Sequence, residues 1–79
     1  MKEELITIAH MLMKMASRNE RDVISQYISA LNKERFDTAR IISDELVDHF
    51  TEKNFSKKKT NLSIMLYDKT MQFYEINTK

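Results

Sequence analysis

The chain has 79 residues, 13 Lys and Arg against 12 Asp and Glu for a formal net charge of +1, and a hydrophobic fraction of 42%. That size predicts one domain spanning 1–79 with a modest core, too apolar to stay disordered and too evenly charged for a histone-like binder or an acidic nucleic-acid mimic. Cysteine is absent and only two histidines are present, which excludes disulfides and thiolate metal sites and leaves no credible zinc ligand set, so neither metal nor cofactor is expected.

No stretch approaches the roughly 18 consecutive apolar residues of a membrane span. The opening Lys2, Glu3 and Glu4 are unlike a signal peptide, and a cytoplasmic location is expected. Glycine and proline are both missing. Hairpin turns depend on such residues, whereas helices joined by short polar turns do not. The chain is therefore read as all-α, a small single-domain bundle of four to six short helices.

In chain order, the first helix is predicted over about Glu3 to Ala16. The sequence SRNE, Ser17 to Glu20, has capping-box spacing and should open a second helix over about Arg18 to Asn32. The apolar set of that helix, Val23, Ile24, Tyr27, Ile28 and Leu31, falls on one face. Asp37 is the expected N-cap of a third helix that runs to about Thr51. Ala39, Ile42, Leu46 and Phe50 form its inner row, with Ile41 and Val47 beside it. The stretch EKNFS, Glu52 to Ser56, breaks the pattern, and Ser56 is placed to cap the last segment, about Lys57 to Ile76. That segment carries two stripes. Leu62, Met65, Leu66, Phe73 and Ile76 form one, and Ile64, Tyr67, Met71 and Tyr74 form the other. One long helix and two short ones both fit.

The first helix is unusually apolar. At about 100° per residue, Leu5, Ala9, Leu12 and Ala16 make a narrow wedge. Ile6 and Met13 widen it on one flank, and Ile8, Met11 and Met15 on the other. The apolar arc covers roughly 220°, where a surface helix needs little more than 100°. Thr7, His10 and Lys14 hold the remaining side. Two readings stand. The helix is central and covered on several sides, or one flank stays exposed and binds another protein. The flank of Ile8, Met11 and Met15, with Glu4 at its rim, is the expected contact face.

At this stretch the sequence resembles a family. EELITIAHMLMKMAS followed by QYISALNK is similar to the AsiA-type anti-sigma factors of T-even-like bacteriophages. The likeness runs through Glu4, Leu5, Ile6, Thr7, Ile8, Ala9, Met11, Leu12, Met13 and Lys14, then through Tyr27, Ile28, Leu31 and Asn32. ARIISDEL, Ala39 to Leu46, and the ending FYEINTK resemble later family segments. The chain departs from the family in lacking glycines in its middle linker and in carrying Ala30 where the family has an aromatic residue.

The resemblance implies an all-helical anti-sigma factor that binds region 4 of the host primary sigma factor and inhibits −35-dependent transcription. It also implies co-activation of phage middle promoters, with the polymerase β-flap and a phage activator meeting the C-terminal helix. A homodimer is implied when sigma is absent. Carried over by position, the partner-binding residues are Glu4, Ile8, Met11, Leu12 and Met15, with Tyr27 and Leu31 from the second helix.

Other chemistry is sparse. The basic run Lys57 to Lys59 suits either a phosphate backbone or a solvated helix start. A helix-turn-helix DNA-binding regulator, with ARIISDEL as recognition helix, is the main alternative class. A phage inhibitor of another host protein is a further one. Asp44, Glu45, Asp48, His49 and Glu52 crowd the third helix and read as a polar face. With no nucleophile elbow and no phosphate loop, the chain is not expected to be an enzyme, to contact nucleic acid directly or to meet a membrane.

Overall fold

In a computed structural model, which describes residues 2–53 and 56–78, four α-helices follow one another: α1 (Lys2–Lys14), α2 (Arg18–Asn32), α3 (Phe36–Lys53) and α4 (Lys57–Thr78). There is no strand among the described residues. Each helix packs on its sequence neighbours, and α4 also packs on α1, so the four close into a ring around one core. The bundle is elongated, 35 × 19 × 18 Å. Neighbouring helices run antiparallel: Phe36 of α3 meets Phe73 of α4 while the Phe50 carbonyl receives Thr60. On the other side Glu4 of α1 reaches Lys69 while Met11 and Met15 lie beside Leu62 and Lys58.

Local signals explain the helix starts. The Ser17 hydroxyl accepts from the Glu20 N–H at 3.4 Å, and the Ser17 N–H donates to the Glu20 carboxylate at 2.8 Å. This is the expected capping box, and it satisfies two donors the helix itself leaves open. Ser56 caps α4 by accepting from the Lys59 N–H at 3.1 Å. The third helix begins before its expected N-cap. The Arg35 carbonyl accepts from the Ala39 N–H, and Asp37 lies in the first turn, where its charge still complements the helix dipole. A tertiary contact draws the helix forward, for Phe36 packs edge-to-face on Phe73 with centroids 4.9 Å apart. Asn54 and Phe55 of the expected break lie outside the described residues. The last segment is a single helix of 22 residues.

The turn between α2 and α3 shows how a chain without glycine reverses direction. Glu34 takes a left-handed conformation, φ 60°. The Arg35 N–H donates to the Ala30 carbonyl at 2.8 Å and the Glu34 N–H to Leu31 at 3.1 Å. This is a Schellman ending with glutamate where glycine is favoured. Its side chain makes that conformation costly.

The core is formed from all four helices: Leu5, Ile8, Ala9 and Leu12; Ile24, Tyr27 and Leu31; Ala39, Ile42, Leu46 and Phe50; Leu62, Leu66 and Phe73. One expectation of facing is corrected here. Ile41 does not flank the inner row of α3 but is 50% exposed on its outer side; the first α4 stripe is divided, with Leu62, Leu66 and Phe73 buried and Met65 and Ile76 exposed. In place of those two, Ser63 and Thr70 turn inward. Both hydroxyls donate back into their own helix, to Thr60 and Leu66 carbonyls. Thr70 also receives a second bond. Its Oγ1 lies 2.6 Å from the Tyr27 hydroxyl, and since the Thr70 proton goes to Leu66, Tyr27 is the donor. The bond crosses the core from α2 to α4, two helices whose backbones are not neighbours in the ring. Burial pushes the Tyr27 hydroxyl up to about 12, against the opposing influence of Thr70.

Two stability outcomes follow. Tyr27→Phe removes the cross-core bond and lowers stability by about 1 kcal/mol, read as a fall in Tm of roughly 4–8 °C for a domain of this size. Glu34→Gly relieves the left-handed residue and raises stability by about 1 kcal/mol, measurable as a higher urea midpoint with unchanged slope.

Candidate protein-binding surface

The seam where α1 meets α4 brings together the two ends of the chain's helical sequence. On α1, Glu4, Ile8, Met11 and Met15 recur at helical spacing along one flank; on α4, Lys58, Leu62, Met65 and Lys69 do the same. The antiparallel register pairs them in reverse order. Glu4 Oε1 is 2.6 Å from Lys69 Nζ at one end. At the other, Met11, Met15, Lys14, Lys58 and Leu62 line a shallow cleft of about 230 Å³. Lys69, by hydrogen bond and charge, holds the Glu4 carboxyl below its ordinary pKa. The pair is exposed on both partners, so water screens it and it sets register more than it stabilises.

The seven residues expected to form the contact face separate into two groups. Met11 is 46% exposed, Met15 is half-buried, and Glu4 is exposed. Ile8, Leu12, Tyr27 and Leu31 are buried within the chain's own core. The expectation that Ile8 stands on an open flank is therefore corrected. Helix α4 is longer than two short helices would allow and lies along α1, so it covers the side that carries Ile8. What remains open is a strip whose outer edge is Met11 on α1 and Met65, 45% exposed, on α4. Met65 was not among the expected contact residues, because the spacing of the stripe it shares with Leu62 and Leu66 does not say which members face outward. Unbranched thioether side chains suit such an edge, since they adapt to different partner shapes.

A second feature joins α2 to α3. The Glu20 side chain, 7% exposed, accepts from Ser17 N–H through Oε1 and lies 2.7 Å from His49 Nε2 through Oε2. These groups border a cleft of about 280 Å³ with Asn19, Val23, Glu45 and Leu46. Burial raises the Glu20 carboxyl, but hydrogen bonds from the Ser17 backbone, His49 and the Ser17 hydroxyl, with the charge of His49, outweigh it. The net pKa is below the ordinary carboxylate value. The carboxyl–histidine crowd of α3 thus reaches into a capping box, which no spacing in α3 alone could reveal. Among the described residues no group of three or more His, Cys, Asp or Glu could hold a metal ion. Nor is any helix among them long and apolar enough to cross a membrane.

No protein-family model, curated protein or solved structure matches the chain.

Because the folded-state pKa of Glu20 is depressed, its contribution is full above the unfolded value, near 4.5, and is lost as pH falls through the folded value. Glu20→Gln should lower stability by about 1 kcal/mol at neutral pH. Urea titrations at neutral and strongly acidic pH check this, and the gap between variant and parent should close in acid.

Proposed function

We propose that the chain is a protein-binding module, an anti-sigma factor whose α1 edge binds region 4 of the primary sigma factor. The observation that carries the reading is Met11: a large apolar side chain left 46% exposed in the segment that resembles the AsiA-type family. Met15 continues the strip and Lys14 and Lys58 border it, giving an apolar centre with a charged rim, as protein interfaces have. Ile8, Leu12, Tyr27 and Leu31 hold this edge from beneath. They meet a partner only where α4 moves away from α1. In this reading Glu4 exchanges Lys69 for a donor on the partner.

The mechanism is competition by surface burial. Region 4 docks on the polymerase β-flap and places a recognition helix at the −35 element. Covering its apolar surface occludes that docking or remodels the module. A standard interface buries about 1,600 Å² in total, and a few central side chains supply most of the energy. In the absence of sigma the same strip pairs with a second copy as an isologous dimer. Co-activation at middle promoters, through the β-flap and an activator, is assigned to α4.

The helix-turn-helix alternative is disfavoured by what α3 presents. Of ARIISDEL, Ala39, Ile42, Ser43 and Leu46 are buried. Asp44 and Glu45 face solvent beside Asp48, and carboxylates there repel phosphate.

Met11→Asp should cost about 2 kcal/mol of sigma region 4 binding, a roughly 30-fold weaker Kd by calorimetry, with helical circular dichroism unchanged because the site is exposed. Ile8→Asp, by contrast, should unfold the chain by burying an unpaired charge. Retained binding by Met11→Asp would remove the α1 edge from the interface. Sedimentation across concentration should show the parent dimerising and Met11→Asp monomeric.

A further inference from the structure

Sulfur chemistry in this chain belongs to methionine. There are six methionines and no cysteine, so a peroxide that meets the protein finds thioethers and no thiol to intercept it. The described methionines are unequally reachable. Met11 is 46% and Met65 45% exposed, whereas Met13, Met15 and Met71 are half-buried. The two exposed ones edge the same strip, Met11 from α1 and Met65 from α4. Oxidation needs the oxidant at the sulfur, so exposure ranks these two first.

Met11 also borders the cleft of about 230 Å³ that it lines with Lys14, Met15, Lys58 and Leu62, which is open enough for a molecule as small as hydrogen peroxide. The step balances without a cofactor. The sulfur lone pair attacks one peroxide oxygen, an S–O bond forms and the O–O bond breaks. The other oxygen leaves as hydroxide and takes up the proton left on the first, giving water. Sulfur is oxidised by two electrons and the peroxide is reduced by two. The product changes what the strip can bind, because a sulfoxide is polar where the thioether is apolar. In the free chain water donates to the new oxygen. Against the apolar surface of a partner that water is excluded, and a buried acceptor left without a donor is costly. Oxidation of Met11 therefore favours the free chain over the complex.

We propose that Met11, with Met65 beside it on the strip, is an oxidation-sensitive contact: a peroxide converts the thioether to the sulfoxide, and the oxidised α1 edge releases its partner. The release rests on the proposed sigma-binding reading, whereas the order in which the methionines oxidise does not. A methionine sulfoxide reductase, drawing two electrons from a dithiol, returns the thioether and with it the grip on the partner.

The test doses the full chain with hydrogen peroxide at a protein concentration where sedimentation shows the monomer. Tandem mass spectrometry follows each methionine, and calorimetry reads the binding of sigma region 4. Met11 and Met65 should oxidise ahead of Met13, Met15 and Met71. As Met11 is consumed the Kd should rise about tenfold, with helical circular dichroism unchanged and recovery after reductase treatment. Region 4 present during dosing should shield Met11 and leave Met71 unshielded. Met11→Leu combined with Met65→Leu removes both sulfurs, and whatever affinity that variant starts from, the same dose should not alter it. Failure of the untreated chain to bind would overturn the sigma reading and this proposal together. Where the untreated chain binds, this proposal alone is overturned by equal binding before and after dosing, by an equal loss in the double variant, or by a Met11 that stays unshielded in the complex. Oxidation of Met13 or Met71 ahead of Met11, or loss of helix at the dose that modifies Met11, overturns it as well.

Discussion

The contact on which the structure depends is the one between α4 and α1, because it joins the last helix of the chain to the first and closes the ring. The other three interfaces lie between helices already adjacent in sequence, and short turns bring those together at little entropic cost. The α1–α4 seam must be held by packing. Leu62 and Leu66 of α4 and Leu5, Ile8 and Leu12 of α1 are buried together in the shared core. The Tyr27–Thr70 bond fixes the rotation of α4 within the ring. It makes a polar pair within the core depend on a single register, and a slip would strand a buried hydroxyl. With no disulfide available, these side-chain contacts take the place of a covalent staple in a chain small enough to need one.

Closing the ring also determines what is left outside. A helix packed on two neighbours hides about half of its circumference, and α1 and α4 both carry more apolar surface than that. On α1 the surplus emerges as Met11, and on α4 as Met65 along the same seam and as the Ile64–Tyr74 stripe on the far flank. The two open strips differ in their electrostatic borders. Lysines edge the first, with Glu4 paired to one of them, and the second carries both exposed carboxylates and the Arg40 guanidinium.

The connections follow a consistent economy. Serine caps open α2 and α4, and the glutamate of one capping box extends to His49 on the next helix, so a device that starts α2 also ties it to α3. Where a glycine would ordinarily end α2, Glu34 holds the left-handed position. The bonds from Arg35 and Glu34 back to Ala30 and Leu31 keep it there. Left-handed glutamate is strained, and the strain persists because the Phe36–Phe73 contact immediately after it fixes where α3 must begin.

Much of this was determined by the sequence alone, and the boundary between the two is physical. Helix identity, the Ser17–Glu20 box, the Ser56 cap and the inner rows of α2 and α3 were legible, since each rests on contacts between residues a few positions apart. The excess of apolar residues on α1 was legible too, as a quantity. Which part of it stayed open was not. Ile8 and Met11 lie on one flank, three residues apart, and only the placement of α4 buries the first and exposes the second. Ile41 was misplaced for the same reason, as periodicity gives the spacing of a stripe and leaves its neighbour unspecified. The Glu20–His49 and Tyr27–Thr70 pairs join residues far apart in the chain. Nothing in local spacing encodes them, and they exist only because the bundle packs as a ring.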